Sequence, residues 1–283
     1  MLTTRFWGVR GSCASAGGHT VQVGGNTSCV EVRVGDQLFI LDAGTGLRGL
    51  GAELMARGEK LDATLLLSHF HWDHIQGFPF FTPAYVPGNR LTVYGPERAA
   101  PRGDVRAAID AQMKAPHFPV GLEVMRAQLA FHALPAGACV PIGAATVSTA
   151  AACHPNGCLA YRISAGGRSV VYATDTEHDT HSGAIDRNLL ELARGADVLI
   201  YDAQYTDEEY RGKRGWGHST SAEGVRLARA AGVGQLVLFH HDPAHDDWQI
   251  ACIEAEARAL FEPTCAAREG LQITLDSGVE AAA

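Results

Sequence analysis

Three imidazoles and one carboxylate fall within six consecutive positions of this 283-residue chain, in Ser68-His69-Phe70-His71-Trp72-Asp73-His74. Imidazole nitrogens and carboxylate oxygens are the donors that hold zinc and similar divalent cations. His69 and His71 are two apart, so on an extended segment both project to the same side. Asp73 and His74 follow where the chain must turn into a loop or helix. The run can therefore offer two donors to one cation and two to a second beside it. A lone histidine is commonly just a hydrogen-bonded core or surface group; four donors at this spacing are not accounted for that way.

This His-x-His-x-Asp-His segment resembles, without a mismatch, the signature of the metallo-β-lactamase superfamily. The resemblance implies an α/β fold, a four-layer α/β/β/α sandwich with the metals at one edge between the sheets. It also implies three further ligands in the order His, Asp, His. His154 in Cys153-His154-Pro155, Asp175 in Thr174-Asp175-Thr176 and His240 in Phe239-His240-His241 stand in that order. A one-residue step at a strand end reverses the face, so His240 and His241 cannot both enter one site. The family's spacing from the last core aliphatic, Leu238, selects His240 and leaves His241 as a supporting or substrate group. On that basis His69, His71 and His154 hold one cation, Asp73, His74 and His240 hold the other, and Asp175 bridges them. Such a donor set suits two zinc ions, with manganese or iron tolerated. The expected nucleophile is a metal-bridging hydroxide. Asp73 and His218 are the expected catalytic residues.

Superfamily membership alone leaves the substrate open. Gly217-His218-Ser219-Thr220, ahead of a helix-like run, resembles the His-Ser-Thr element of the ribonuclease Z and small-phosphodiesterase branch. There the histidine assists the leaving oxygen as a general acid. Ser219 and Thr220 are read as substrate contacts, either of which could also cap the helix. The opening Phe6-Trp7-Gly8-Val9-Arg10-Gly11-Ser12 and Gly24-Gly25-Asn26-Thr27-Ser28 resembles the same branch. Ribonuclease Z carries a long basic arm that clamps transfer RNA, and no such insertion is found here. The expected substrate is therefore a small phosphodiester, a cyclic nucleotide or similar. The alternatives are a lactone or thioester on the same dinuclear site, or nuclease action on RNA or DNA ends. Arg162 and His117 are further candidate contacts to base or phosphate. Glu177-His178-Asp179 with His181 reads as polar loop rather than a third metal site.

The elements that must position these residues follow from periodicity and turn signals. The chain enters a strand at once. Thr27 to Val34 and Gln37 to Leu41 read as strands joined by Gly35-Asp36, a two-residue hairpin signal. Leu47 to Ala56 is helix-like and ends at Gly58. Ala63 to Leu67 is a short apolar run, as for a strand buried on both faces. Leu91 to Tyr94 reads as strand, Asp104 to Lys114 as helix, and Gln128 to Val171 as several short strands. Beyond it, Leu189 to Ala193, Ser221 to Ala231 and Asp247 to Leu260 are helical, with strands at Val198 to Tyr201 and Leu236 to Phe239. Two similar βα halves packed sheet to sheet give the four layers. No linker separates them, so residues 1–283 read as one domain, with Ala281 to Ala283 a frayed tail.

Composition bounds the rest. Hydrophobic residues are 46% and charged residues 19%, ordinary globular usage that needs no disulfide reinforcement. The formal net charge of −8 argues against a broad grip on nucleic acid, which is a disfavoured partner. Seven cysteines without a Cys-x-x-Cys pair fit idle thiols in a reducing compartment. With neither a signal-peptide pattern nor an apolar run of membrane length, a cytoplasmic protein without membrane contact is expected. Relatives make a homodimer the expected assembly.

Overall fold

The computed structural model describes residues 1–97, 104–178 and 183–276; Asp179, His181 and the alanine tail of the sequence reading lie outside them. The first half runs β1 (Leu2–Gly8), β2 (Cys29–Val34), β3 (Gln37–Leu41), α1 (Gly46–Arg57), β4 (Asp62–Leu66), α2 (Trp72–Ile75), β5 (Arg90–Pro96), α3 (Val105–Gln112) and β6 (Gln128–Leu134). The second runs β7 (Cys139–Ile142), β8 (Ala145–Ala152), β9 (Cys158–Ala165), β10 (Arg168–Ala173), α4 (Arg187–Ala193), β11 (Val198–Asp202), α5 (Asp207–Tyr210), α6 (Ser221–Ala231), β12 (Gln235–Phe239), α7 (Asp247–Leu260) and β13 (Thr264–Ala266). A last strand, β14 (Gln272–Leu275), returns to pair with β1.

Two seven-stranded sheets result, ordered β14-β1-β2-β3-β4-β5-β6 and β13-β12-β11-β10-β9-β8-β7. Each is antiparallel on one side and parallel on the other: β3 to β6 in the first, β10 to β13 in the second. Strand alternation builds the layers. In β3, Phe39 and Leu41 join the core between the sheets, while Leu38 and Ile40 pack outward under α1 and α3. In β11 and β12, Val198, Ile200, Val237 and Phe239 face inward, and Leu199, Leu236 and Leu238 face α4, α6 and α7. Sheets buried on both faces need continuous apolar strands, which explains why these read as unbroken runs. The chain is thus the four-layer α/β/β/α sandwich.

The expected helices form close to their expected bounds. Gly58 ends α1 in the left-handed region at φ 68°, Asp104 caps α3, and Thr220 caps α6 through Glu223 N–H at 3.3 Å. Strands β13 and β14, short and only partly apolar, carry no periodicity long enough to be read from sequence.

Candidate metal centre

Within each sheet, strands that run in the same direction place the groups at their carboxyl ends on one edge of the sandwich. Asp42 follows β3, His69 follows β4, His154 follows β8, Asp175 follows β10, Asp202 ends β11 and His240 follows β12. In open α/β sheets that end is where ligands bind. Here two sheets present such ends toward one another.

The seven residues expected as ligands converge. His71 Nδ1 lies 3.1 Å from His154 Nε2, and the His69 ring centroid lies 4.4 and 4.7 Å from those of His71 and His154. Beside them His74 Nε2 is 3.1 Å from Asp73 Oδ2 and 3.2 Å from His240 Nε2. Asp175 stands between the groups with its oxygens divided. Oδ2 is 3.5 Å from His69 Nε2 and 3.6 Å from His154 Nε2; Oδ1 is 3.3 Å from His74 Nε2 and 3.2 Å from His240 Nε2. The donor atoms of the first trio lie within 4.8 Å of one another, as do those of Asp73, His74, Asp175 and His240.

This arrangement fits a pair of divalent cations on two observations. His69 Nε2 is buried and has no hydrogen-bond partner, a costly state for a polar atom unless a cation occupies the space it faces. Burial, with His74 nearby, holds His69 far below the usual imidazole range, and burial also lowers His71 and His154. These three are neutral donors. For Asp175 burial acts to raise the pKa, but the His240, His74 and His69 imidazoles outweigh it and keep the carboxyl ionised. Asp73 is lowered by His74 and His240 in the same way, against burial.

Four of the seven donors, Asp73, His74, His154 and His240, are oriented from behind, as metal-binding imidazoles and carboxylates require. Asp42 Oδ2 accepts from His74 Nδ1 at 2.8 Å, Ser68 Oγ at 2.7 Å and Tyr172 Oη at 2.8 Å, and its Oδ1 accepts from Ser68 N–H at 2.7 Å. His154 Nδ1 donates to the Gly217 carbonyl at 2.8 Å, and His240 Nδ1 donates to Gln204 Oε1 at 2.9 Å. Asp73 Oδ2 accepts from Ser12 N–H at 2.8 Å. Glycine is required at two of these approaches. A Cβ on Gly217, whose φ is 87°, would strike the His154 ring, and one on Gly11 would strike the His240 ring. All five non-glycine residues with positive φ among those described are Ser12, Asp42, Asn156, Asp175 and His240. Four have been placed at this edge, and Asn156 Nδ2 lies 3.4 Å from His71 Nε2. Strained backbone concentrated in one place marks a geometry that the surrounding fold enforces.

His218 borders the same cavity. Its ring stacks on His240 at 5.0 Å, and Nδ1 lies 2.9 Å from Asp202 Oδ2 and 3.9 Å from Asp175 Oδ2. Burial opposes its proton, but the Asp202 carboxylate, supported by Asp175 and Asp73, raises it to about 9. Asp202 is itself fixed by the backbone N–H groups of Gln204 at 3.1 Å and Thr176 at 3.2 Å.

Several expected substrate contacts lie elsewhere. The Arg162 guanidinium donates to the Leu192 and Arg194 carbonyls, at 2.9 and 2.8 Å, and to Ser169 Oγ, closing the end of α4. Ser219 is buried with its hydroxyl toward His178 and Tyr201, and Thr220 is spent as the α6 cap. His241 turns to the opposite side, as strand alternation demands. Its Nε2 donates to the Ala267 carbonyl at 3.0 Å, and burial lowers it to about 3. His117 lines a cleft of about 460 Å³ with Phe70 and Trp72, beside the ligand loop. Arg10, in the glycine-rich opening, is wholly buried and donates to the carbonyls of Gly24, Asp242 and His245. Sequence reasoning passed over Asp42, Asp202 and Gln204. Their signal was position: the first two are carboxylates at the carboxyl ends of parallel strands.

Fold and site together define a superfamily, and comparison agrees. The chain belongs to the β-lactamase superfamily of metal-dependent hydrolases: the family described as Beta-lactamase superfamily domain matches residues 38–241. A protein named ribonuclease Z from Thermoplasma acidophilum is 27% identical over 83% of this chain and 86% of its own length. Another of that name from Brevibacillus brevis is 34% identical, over 35% of this chain and only 30% of its own length. A crystal structure of the metallo-β-lactamase-fold protein YhfI from Bacillus subtilis superposes with TM-score 0.72 at 22% identity, covering 96% of this chain and 98% of that one. No helix among the described residues is long and apolar enough to cross a membrane.

Proposed function

We propose that the chain is a metal-dependent phosphodiesterase acting on a small phosphodiester such as a cyclic nucleotide. The observation that carries this reading is His218, held at 2.9 Å by Asp202 against the wall of the donor cluster. In this reading His69, His71 and His154 would hold one cation and Asp73, His74 and His240 a second, with Asp175 available to both. Bound there, two divalent cations, zinc by donor type, would supply Lewis acidity and an activated water. The chain's own residues supply the rest. Asp42, Gly217 and Gln204 fix the imidazole tautomers so that the nitrogens facing the cavity stay unprotonated. Asp202 keeps a proton on His218 and orients the ring. While Nδ1–H stays with Asp202, His218 delivers the proton of its other ring nitrogen, Nε2, to the leaving oxygen, a step that an alkoxide leaving group needs most. The ribonuclease Z relatives support phosphodiester chemistry. A net charge of −8 supports a small substrate over a long polyanion. One core drawing on both sheets supports reading residues 1–283 as a single domain.

Protein stripped of metal and reloaded with zinc or manganese should hydrolyse bis(p-nitrophenyl) phosphate. His218→Ala should lower turnover about 10²–10⁴-fold on a diester with an alkyl leaving group, and much less on the p-nitrophenyl diester, whose leaving oxygen needs little protonation. Silence on diesters with robust turnover of a lactone or thioester would overturn the reading.

A further inference from the structure

Between Asp202 and His218 the chain carries Arg211-Gly212-Lys213-Arg214-Gly215-Trp216, three cations in four residues of an otherwise acidic protein. Lys213 Nζ lies 4.3 Å from the Tyr205 ring centroid and 3.2 Å from Asp242 Oδ2, so that cation is engaged. Arg211 and Arg214 instead line a surface pocket of about 260 Å³ with Arg226, His178 and Ala222. Among the described residues no hydrogen bond or ion pair engages the guanidinium of either Arg211 or Arg214. Arg226 is held in place by Glu223 at 2.7 Å and the Gly183 carbonyl at 2.8 Å. Two acids reach the pocket wall. Glu223 is committed to Arg226, and Asp207 pairs with neither Arg211 nor Arg214. Ala222 sits in the first turn of α6, where backbone N–H groups lack intrahelical acceptors and favour an anion.

We propose that this pocket is a second anion site, built for a phosphate group other than the scissile diester. The inference rests on the phosphodiesterase reading for its link to turnover, though not for the binding itself. Two unpaired guanidiniums can each form forked hydrogen bonds to one tetrahedral anion, and phosphate has oxygens enough for both where a carboxylate has two. The pocket is also mechanically tied to the candidate active edge. Thr220 lines it two residues beyond His218, about 7 Å of extended chain. His178 in its wall contacts Ser219 at 2.9 Å. Tyr210, also in the wall, donates to Glu177, which accepts from the N–H groups of Gly215 and Gly217. The phosphate comes either from the substrate or from solution.

The as-purified protein is titrated with pyrophosphate and followed by tryptophan fluorescence, since the exposed Trp216 indole borders the loop. The Arg211→Ala/Arg214→Ala double variant should bind at least about tenfold more weakly at an equal melting midpoint. Turnover of a dinucleotide with and without a 5′-terminal phosphate then separates the sources. If the substrate supplies the anion, kcat/KM for the phosphorylated form exceeds the other about tenfold, and the double variant brings the ratio toward one. If solution supplies it, pyrophosphate changes the turnover of both dinucleotides in the wild type and not in the variant. Identical isotherms for the two proteins would overturn the proposal. Binding that is lost in the variant, with no diester turnover by wild type, would leave the site standing and sink the phosphodiesterase reading instead.

Discussion

The two halves of the molecule deliver their donors in different ways. The first half gives four from one six-residue turn after β4, and a single buried carboxylate, Asp42, organises that turn through Ser68 and His74. The second half gives three donors from three separate strand ends, and each needs its own support. His154 has the Gly217 carbonyl, Asp175 has the Thr174 hydroxyl at 2.6 Å, and His240 has Gln204. Asp175 and His240 also sit at φ 49° and 62°, which the surrounding structure must enforce. A contiguous donor run tolerates drift of the whole turn, because its members move together. Scattered donors tolerate none, so the second half should be the more sensitive to changes behind the ligands.

The largest effect tests the residue that spans both groups. Asp175→Asn keeps a side chain tolerant of positive φ but removes the charge that faces four imidazoles. Turnover should fall about 10³-fold or more, and both cations should be depleted in elemental analysis. His71→Ala, at the half-buried rim of the first-half run, should deplete one. Equal stoichiometry in the two variants would erase the difference drawn between the halves.

A smaller effect sharpens it from behind the ligands. Gln204 accepts from His240 and donates from Nε2 to Ser12 Oγ at 3.3 Å, and Ser12 N–H holds Asp73. Gln204→Leu should weaken binding of one cation about 10–100-fold in a competitive chelator titration, and Gln204→Glu should recover part of it by restoring the acceptor. Unchanged affinity would mean that the β12 end alone positions His240.

The same contrast explains what could be read from the sequence. The run from His69 to His74 was legible because its donor side chains are adjacent and their spacing is itself the signal. His154, Asp175 and His240 were named only through resemblance, since nothing local distinguishes each from any polar residue after a strand. The layers were legible because β3, β4, β11 and β12 are apolar on both faces. Asp42 and Asp202 were missed because a carboxylate after a strand resembles an ordinary turn residue until the fold supplies its partner, Tyr172 of the facing sheet for one and His218 of the loop before α6 for the other. Arg162, Ser219 and Thr220 were named for standing near a motif, and each has a partner within the fold. Polar residues near a motif find structural partners more often than substrates.

Arg162 puts that last point to the test with the smallest expected effect on turnover. The side chain emerges from β9 and meets the carbonyls of Leu192 and Arg194, which the end of α4 leaves without intrahelical donors. A cation there also opposes the negative end of the helix dipole. Arg162→Ala removes both bonds and the one to Ser169 Oγ, at a cost of about 1–3 kcal/mol, since the guanidinium is partly exposed and water recovers some of the loss. In a chain of this length that corresponds to a melting midpoint lower by roughly 2–8 °C. KM and metal content should stay at wild-type values, because no atom of the donor cluster touches this residue. A raised KM at an unchanged midpoint would return Arg162 to the substrate, and would mean that α4 moves away from the β9 edge when the diester binds.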